Sequence, residues 1–311
     1  MRISVYDGEG LPLAHTSPIL KVWNANLQEG VQTLRNLATD CHYVAADTEF
    51  PGVVAQLTSD CLSPLDRAYG NIKVNVDLLR PLEIAFSFFR ETGDRLCNGF
   101  SQVCTIQFNL KWDMHTEPYD ENSIHFLQEC GLDLDKLQQD GIETADFLVA
   151  ISESGLLRNP HITWIGFQCA YDFAFLMKII AQWPQVPSHA WQSEILLHAY
   201  FPRIVDVKAL LVECGFVRGG LQALADALGV PREGRQHESG SDALLTGEAY
   251  FHFLQRYQAH HLPSRLLNLL CGLNYFPLLY HSFTNPSFLL LLLLTIPIFL
   301  LFFCTFFLIY F

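Results

Sequence analysis

Charge stops at Arg265: the 19 basic and 32 acidic side chains all lie within residues 1–265, and no Lys, Arg, Asp or Glu follows. A water-facing globular surface needs such residues, so the folded domain has to be made by the part of the chain that carries them. The expected organisation is an N-terminal extension over 1–20, one domain over 21–275 and an apolar C-terminal tail over 276–311. Phe288 to Phe311 is mostly Leu, Phe and Ile. At about 1.5 Å rise per residue it is long enough to cross a bilayer, and a membrane anchor is one expectation. Pro297 near its middle, the missing basic flank and the apolar last residue count against that. Phe, Leu, Ser and Pro share pyrimidine-rich codons, which favours translated non-coding sequence instead.

Half of the residues are apolar and 16% are charged, which excludes wholesale disorder. A net charge of −13 excludes duplex DNA binding through a broad basic field. Local acid clusters are another matter, because they attract divalent metals. The nine cysteines are scattered without a Cys-x-x-Cys pair, so neither a zinc site nor a disulfide framework is expected, and a reducing compartment suits them. Arg2, Asp7 and Glu9 fall where a secretory signal would need apolar residues, so none is expected.

Strand patterns come first and helical ones later. Trp23, Leu27, Val31, Leu34 and Leu37 have helical spacing. Tyr43 to Asp47 is a short extended run stopped by Pro51-Gly52, and Leu82 to Phe89 is a second. In the third, Ile106, Phe108, Leu110 and Trp112 alternate with Gln107, Asn109 and Lys111, a two-faced pattern that suits an antiparallel meander. Helices are expected over Asn122–Cys130, Ala145–Leu157, Asp172–Gln182 and Ser241–Tyr257, the last capped by Ser239 or Ser241. Another carries Leu221, Leu224 and Leu228 and stops at Gly229, and a buried strand covers Ile162–Phe167. The expected fold class is α/β, a mixed sheet covered by helices.

Four acidic positions do not fit a core. Asp47 and Glu49 are two apart on an apolar strand, so they share a face and repel each other. A divalent cation would remove that repulsion; alternatively both sit at a solvated strand end. Asp172 follows the later buried strand and would ordinarily serve the start of a helix. His237 precedes Asp242 by five positions, across a turn into a helix. Asp206 is a weaker candidate with a helix-start role favoured. Together these positions form an ordered constellation. Two divalent cations about 4 Å apart need carboxylates from several elements, and phosphodiester hydrolysis needs a base such as histidine.

In order, Asp47-x-Glu49, Tyr171-Asp172-Phe173 and His237 to Asp242 resemble the DEDD exonuclease superfamily, of ribonuclease H-like fold, in its histidine-bearing branch. Wider text resembles the CAF-one/Pop-two family of mRNA deadenylases, a nuclease subunit of the CCR-four–NOT complex. It comprises Val22-Trp23, Asp47 to Val54, Asn75 to Leu79, Gly141 to Thr144, Asp206 to Lys208, Gly219 to Gln222 and Gly240 to Gly247. The resemblance runs from about residue 20 to 258. It implies a single-domain 3′→5′ exoribonuclease that shortens poly(A) tails and releases 5′-AMP. Asp47, Glu49, Asp172 and Asp242 would hold two Mg2+ (or Mn2+) ions, His237 would deprotonate the water, and Phe50 would stack on the terminal nucleotide or simply fill the core. Implied partners are the poly(A) tail, the complex's scaffold and its other nuclease subunits, with a membrane involved only if the tail is a real anchor. Cytoplasm and nucleus are the implied locations.

The chain departs from the family at Gln168-Cys169-Ala170, where His-Ser-Gly is usual, at Glu83, where glutamine is common, and after Tyr257. The first departure predicts an altered local pocket; none removes a motif acid. The alternatives are a catalytically weak adaptor that docks on a NOT-type scaffold, or a general DEDD exonuclease.

Overall fold

Alternating and β-branched runs build the sheet, and amphipathic runs build the helices that cover it. In a computed structural model, residues 17–58, 62–99, 101–215, 219–257 and 266–273 are described. Strands are β1 (Ile19–Val22), β2 (Tyr43–Glu49), β3 (Glu83–Phe89), β4 (Thr105–Asn109), β5 (Thr163–Gly166) and β6 (Ile204–Asp206). Helices are α1 (Leu27–Asp40), α2 (Pro64–Leu78), α3 (Glu121–Glu129), α4 (Leu134–Asp140), α5 (Thr144–Ser152), α6 (Ala170–Ile180), α7 (Ala190–Tyr200), α8 (Val207–Glu213), α9 (Leu221–Leu228) and α10 (Ser239–Arg256). The sheet order is β1-β4-β3-β2-β5-β6. The β2–β3 and β3–β4 pairs are antiparallel, whereas β1–β4, β2–β5 and β5–β6 are parallel. The expected meander plus parallel strands is therefore present, and β1 begins just before the expected domain start. The apolar tail lies outside the described residues, and no described helix is long and apolar enough to cross a membrane.

One sheet face is aromatic. Trp164 meets Phe86 at 5.8 Å and Phe201 at 4.8 Å between ring centroids, and Phe108 meets Phe147 at 5.3 Å. The opposite face carries Ala45, Asp47 and Glu49 of β2, Glu83, Ala85 and Ser87 of β3, and Thr105, Gln107 and Asn109 of β4. Alternation alone would allow that polar row to face water. Instead α10 lies across this face, and Gln107 and Asn109 are buried. The polar groups satisfy one another: Gln107 Nε2 donates to Asn109 Oδ1 (3.0 Å), Asn109 Nδ2 to Val22 O (2.9 Å), and the Ser87 and Thr105 hydroxyls bond at 2.7 Å.

Close approach of α10 depends on Gly247, where a Cβ would stand 2.2 Å from the Phe89 ring. The helix starts earlier than its pattern suggested. Glu238 is its N-cap, with Ser239 and Ser241 buried inside the first turn, so neither serine caps it. The cap differs because the leading amides reach the sheet: Ser239 N donates to Glu83 Oε2 (3.1 Å) and Gly240 N to Gln107 Oε1 (3.0 Å). At the other end of chain order, the start expected at Trp23 is a 3-10 turn over Asn24–Asn26 before α1 begins. α2, α4 and α7 carry no apolar pattern strong enough to announce them.

Asp206 has the helix-start role expected of it and more. It caps α8 through Lys208 N (2.9 Å) and Ala209 N (3.3 Å), and also accepts from Gln168 N (2.9 Å), Cys169 N (3.3 Å) and Cys271 N (2.9 Å). One buried carboxylate thus ties β6 to the turn entering α6 and to the segment at 266–273. Replacing it with alanine strands those amides away from water. Asp206→Ala is expected to lower stability by about 3 kcal/mol, measured as a urea-midpoint shift at unchanged slope.

Candidate metal-binding nuclease site

The ladder geometry of β2 explains the first pair of acids. Successive side chains alternate faces, so Asp47 and Glu49 both point to the side covered by α10. Across the antiparallel ladder Asp47 stands opposite Ala85, whose small side chain leaves room, and Glu49 stands opposite Glu83. Glu83 is buried. It is the departure from glutamine noted above, and its carboxylate is committed to Ser239 N at the head of α10.

The other acids arrive from two helix starts. Asp172 lies in the first turn of α6, whose N-cap is Cys169. Its Oδ1 accepts from Thr48 N (2.8 Å) and Thr48 Oγ1 (2.7 Å), which fastens the helix to the end of β2. Asp242 lies in the first turn of α10 and pairs with Arg232 Nη1. That arginine is itself held by Gln222 Oε1 (2.7 Å) and Ser241 Oγ (3.0 Å). His237 has a left-handed backbone (φ 59°), which turns its ring back toward the cluster. Ligand atoms of Glu49, His237 and Asp242 all lie within 4.8 Å of one another.

Electrostatics report the same convergence. Burial raises Asp47 well above the usual carboxylate range, and Asp172, Asp242, Glu49 and Glu83 add to it. Burial also raises Glu49, followed by the charges of Asp242, Glu83, Asp172 and Glu238. Asp172 is pushed up to about 6 by burial, against the lowering effect of its Thr48 hydrogen bonds. Glu83 rises to about 7 through burial, opposed by the bond from Ser239. Asp47 Oδ2 is buried and has no hydrogen-bond partner among the described residues. An orphan anionic oxygen among other carboxylates is what a hard divalent cation satisfies, so the donor set fits magnesium or manganese.

Phe50 is half-buried, stacked on Tyr171 (5.1 Å, 22°) and tilted against Phe175 (5.1 Å), so it packs beside the site as part of an aromatic group. Gln168, in the departure from the family pattern, also has positive φ (55°), and its amide is held by Asp206. Pattern reasoning missed the clamping roles of Thr48 and Arg232. Thr48 was readable as the residue between two paired acids; no sequence signal marks Arg232.

Residues 22–147 match the family described as CAF1 family ribonuclease. The Poly(A) ribonuclease pop2 of Schizosaccharomyces pombe is 38% identical over 257 residues, which cover 83% of this chain and 75% of that protein. The solved structure of S. pombe Pop2p in a Mg2+- and Mn2+-bound form superposes with a TM-score of 0.78 at 38% identity, covering 82% of this chain and all of that one. A structure of the yeast NOT1 MIF4G domain co-crystallized with CAF1 matches at a TM-score of 0.68 and 26% identity, covering 81% of this chain and 96% of the matched one. With such a relative aligned across most of both chains, this chain belongs to the CAF1 family of ribonucleases.

Proposed function

We propose that the protein is a 3′→5′ exoribonuclease that shortens mRNA poly(A) tails and releases 5′-AMP. The observation that carries this is the orphan Asp47 Oδ2 within a converging set of carboxylates and one histidine. The activity named for the S. pombe relative supports the substrate. Asp47, Glu49, Asp172 and Asp242 would hold two divalent cations, which when bound supply Lewis-acid charge at the scissile phosphate.

The chain's own groups do the rest. Thr48 fixes one oxygen of Asp172, and Arg232 orients Asp242 through its Oδ1. Glu83 holds the head of α10, and with it His237 and Asp242, against β3. A ring nitrogen of His237 takes the proton of the attacking water, in a position close to Glu49 and Asp242. Phe50, backed by Tyr171 and Phe175, supplies an aromatic surface for the terminal nucleotide. The NOT1 domain crystallized with a matched relative supports docking on a CCR-four–NOT scaffold, and action there would put the protein in cytoplasm and nucleus. The nuclease domain would span 21–275, between the extension over 1–20 and the tail over 276–311.

The test is incubation with Mg2+ and a 5′-labelled RNA that ends in adenosines. Stepwise shortening that stops near the non-adenosine body is expected, with Asp47→Ala and Asp242→Ala each slowing it at least about a thousandfold. Equal loss of a cytidine tail would indicate a general exonuclease, and no shortening by folded protein would indicate an adaptor.

A second expectation concerns pH. Asp172 and Glu83 have folded-state values raised to about 6 and about 7, so the native state holds protons that the unfolded chain has released. Metal-free protein therefore loses stability as pH rises from about 4 to about 7. A falling Tm over that range is expected. Millimolar Mg2+ should reverse the fall at neutral pH, and Asp47→Asn should flatten it. A Tm that rises with pH in the metal-free protein would contradict the clustering.

A further inference from the structure

Beside the acid cluster lies a rim that its chemistry does not use. Arg235 is exposed, two residues before His237 on the loop that leads into α10. Its guanidinium rests over Gly131: a Cβ built there would stand 2.0 Å from Arg235 Nη1, and Gly131 has φ +106°. Among the described residues no carboxylate forms an ion pair with that guanidinium. Phe126, on the same α3 that ends before Gly131, is 46% exposed and meets the His237 ring edge-on at 4.7 Å. The end of α3 adjoins the acids as well. Cys130 is raised by burial and then by the charges of Glu49, Glu129 and Asp242.

An uncompensated cation and a bare aromatic ring, side by side at the mouth of an acidic site, match what a single-stranded nucleic acid offers. The chain carries a net charge of −13, so the bare site repels a polyanion, and a positive group at the rim counts heavily. We propose that Arg235 and Phe126 form a substrate-gripping rim for the 3′ end of single-stranded RNA, Arg235 holding a backbone phosphate next to the scissile one and Phe126 stacking on a base. This rests on the nuclease reading of the site. Neither residue belongs to the motifs that carry the family resemblance.

The rim is tested by anisotropy of labelled oligo(A) with Mg2+ in an Asp47→Ala background, over a salt series, and by KM and kcat in the otherwise unaltered protein. Arg235→Ala should raise Kd about tenfold and reduce the slope of log Kd against log salt by about 0.7. Arg235→Lys should restore most of that slope. Phe126→Ala should raise Kd about tenfold without changing the slope, and Phe126→Trp should recover affinity. Both alanine variants should raise KM with kcat within about twofold of the parent. Arg35→Ala, which removes an exposed cation paired with Glu153, should change neither quantity. If oligo(A) binds with this salt and variant pattern but is not hydrolysed, the rim stands and the nuclease reading fails. If it is hydrolysed and both alanine variants match the parent, the rim is wrong. A fall in kcat at unchanged KM in Phe126→Ala would make Phe126 an orienting partner of His237 and overturn its stacking role. Absence of oligo(A) binding at low salt would overturn the whole rim.

Discussion

Crowding of like charge at the end of β2 is the constraint to which the surrounding structure answers. The charges of Asp172, Asp242, Glu49 and Glu83 raise the protonation range of Asp47, and those of Asp242, Glu83 and Asp172 raise that of Glu49. Without a cation, such an arrangement opposes folding. It persists because three of the acids are gripped by neighbouring groups: Asp172 by Thr48, Asp242 by Arg232, Glu83 by the Ser239 amide. Asp47 is left with an oxygen that no group among the described residues satisfies. Strain of this kind is characteristic of sites whose ligand completes them.

The same logic explains a polar row in the middle of a core. Gln107, Asn109, Ser87 and Thr105 are buried beneath α10, where an apolar helix would ordinarily want apolar partners. Gln107, held by Asn109, is the fixed acceptor that seats the head of the helix, and Gly247 lets its middle lie flat on the sheet. The helix carries His237 and Asp242 at its start, so seating it accurately also sets the distance from those groups to Glu49. Asp206 performs the matching service for Asp172, holding the turn that precedes α6 through two of its amides.

The local chemistry was legible before any coordinates. Two acids separated by one residue on a strand must share a face, and Gly229, with φ 73°, ends its helix as a glycine beyond an apolar stripe should. Motif order carried the rest of the candidate set and the fold class with it. Three things were not legible. Alternation in β4 marked a polar face without showing that it is buried, because a strand pattern records polarity but not what lies above it. The serines at 239 and 241 looked like caps because cap preference assumes a helix that starts in water, whereas this one starts against a sheet. Glu83 was legible only as a departure from glutamine, since only strand pairing puts it opposite Glu49.

What the amino-acid sequence determined alone is the set of residue types and their spacing: which acids share a strand face, which stand at helix starts, and where charge ends along the chain. Those are consequences of backbone geometry over a few residues. What only the tertiary structure decided is which of those groups meet. The Glu49, His237 and Asp242 ligand atoms are gathered within 4.8 Å although a long stretch of chain separates Glu49 from the other two. That convergence depends on sheet order, on α10 crossing the polar face, and on the Arg232 and Thr48 contacts that hold the carboxylates in register. None of these is encoded in any local window, because each is a balance of burial and repulsion between distant segments.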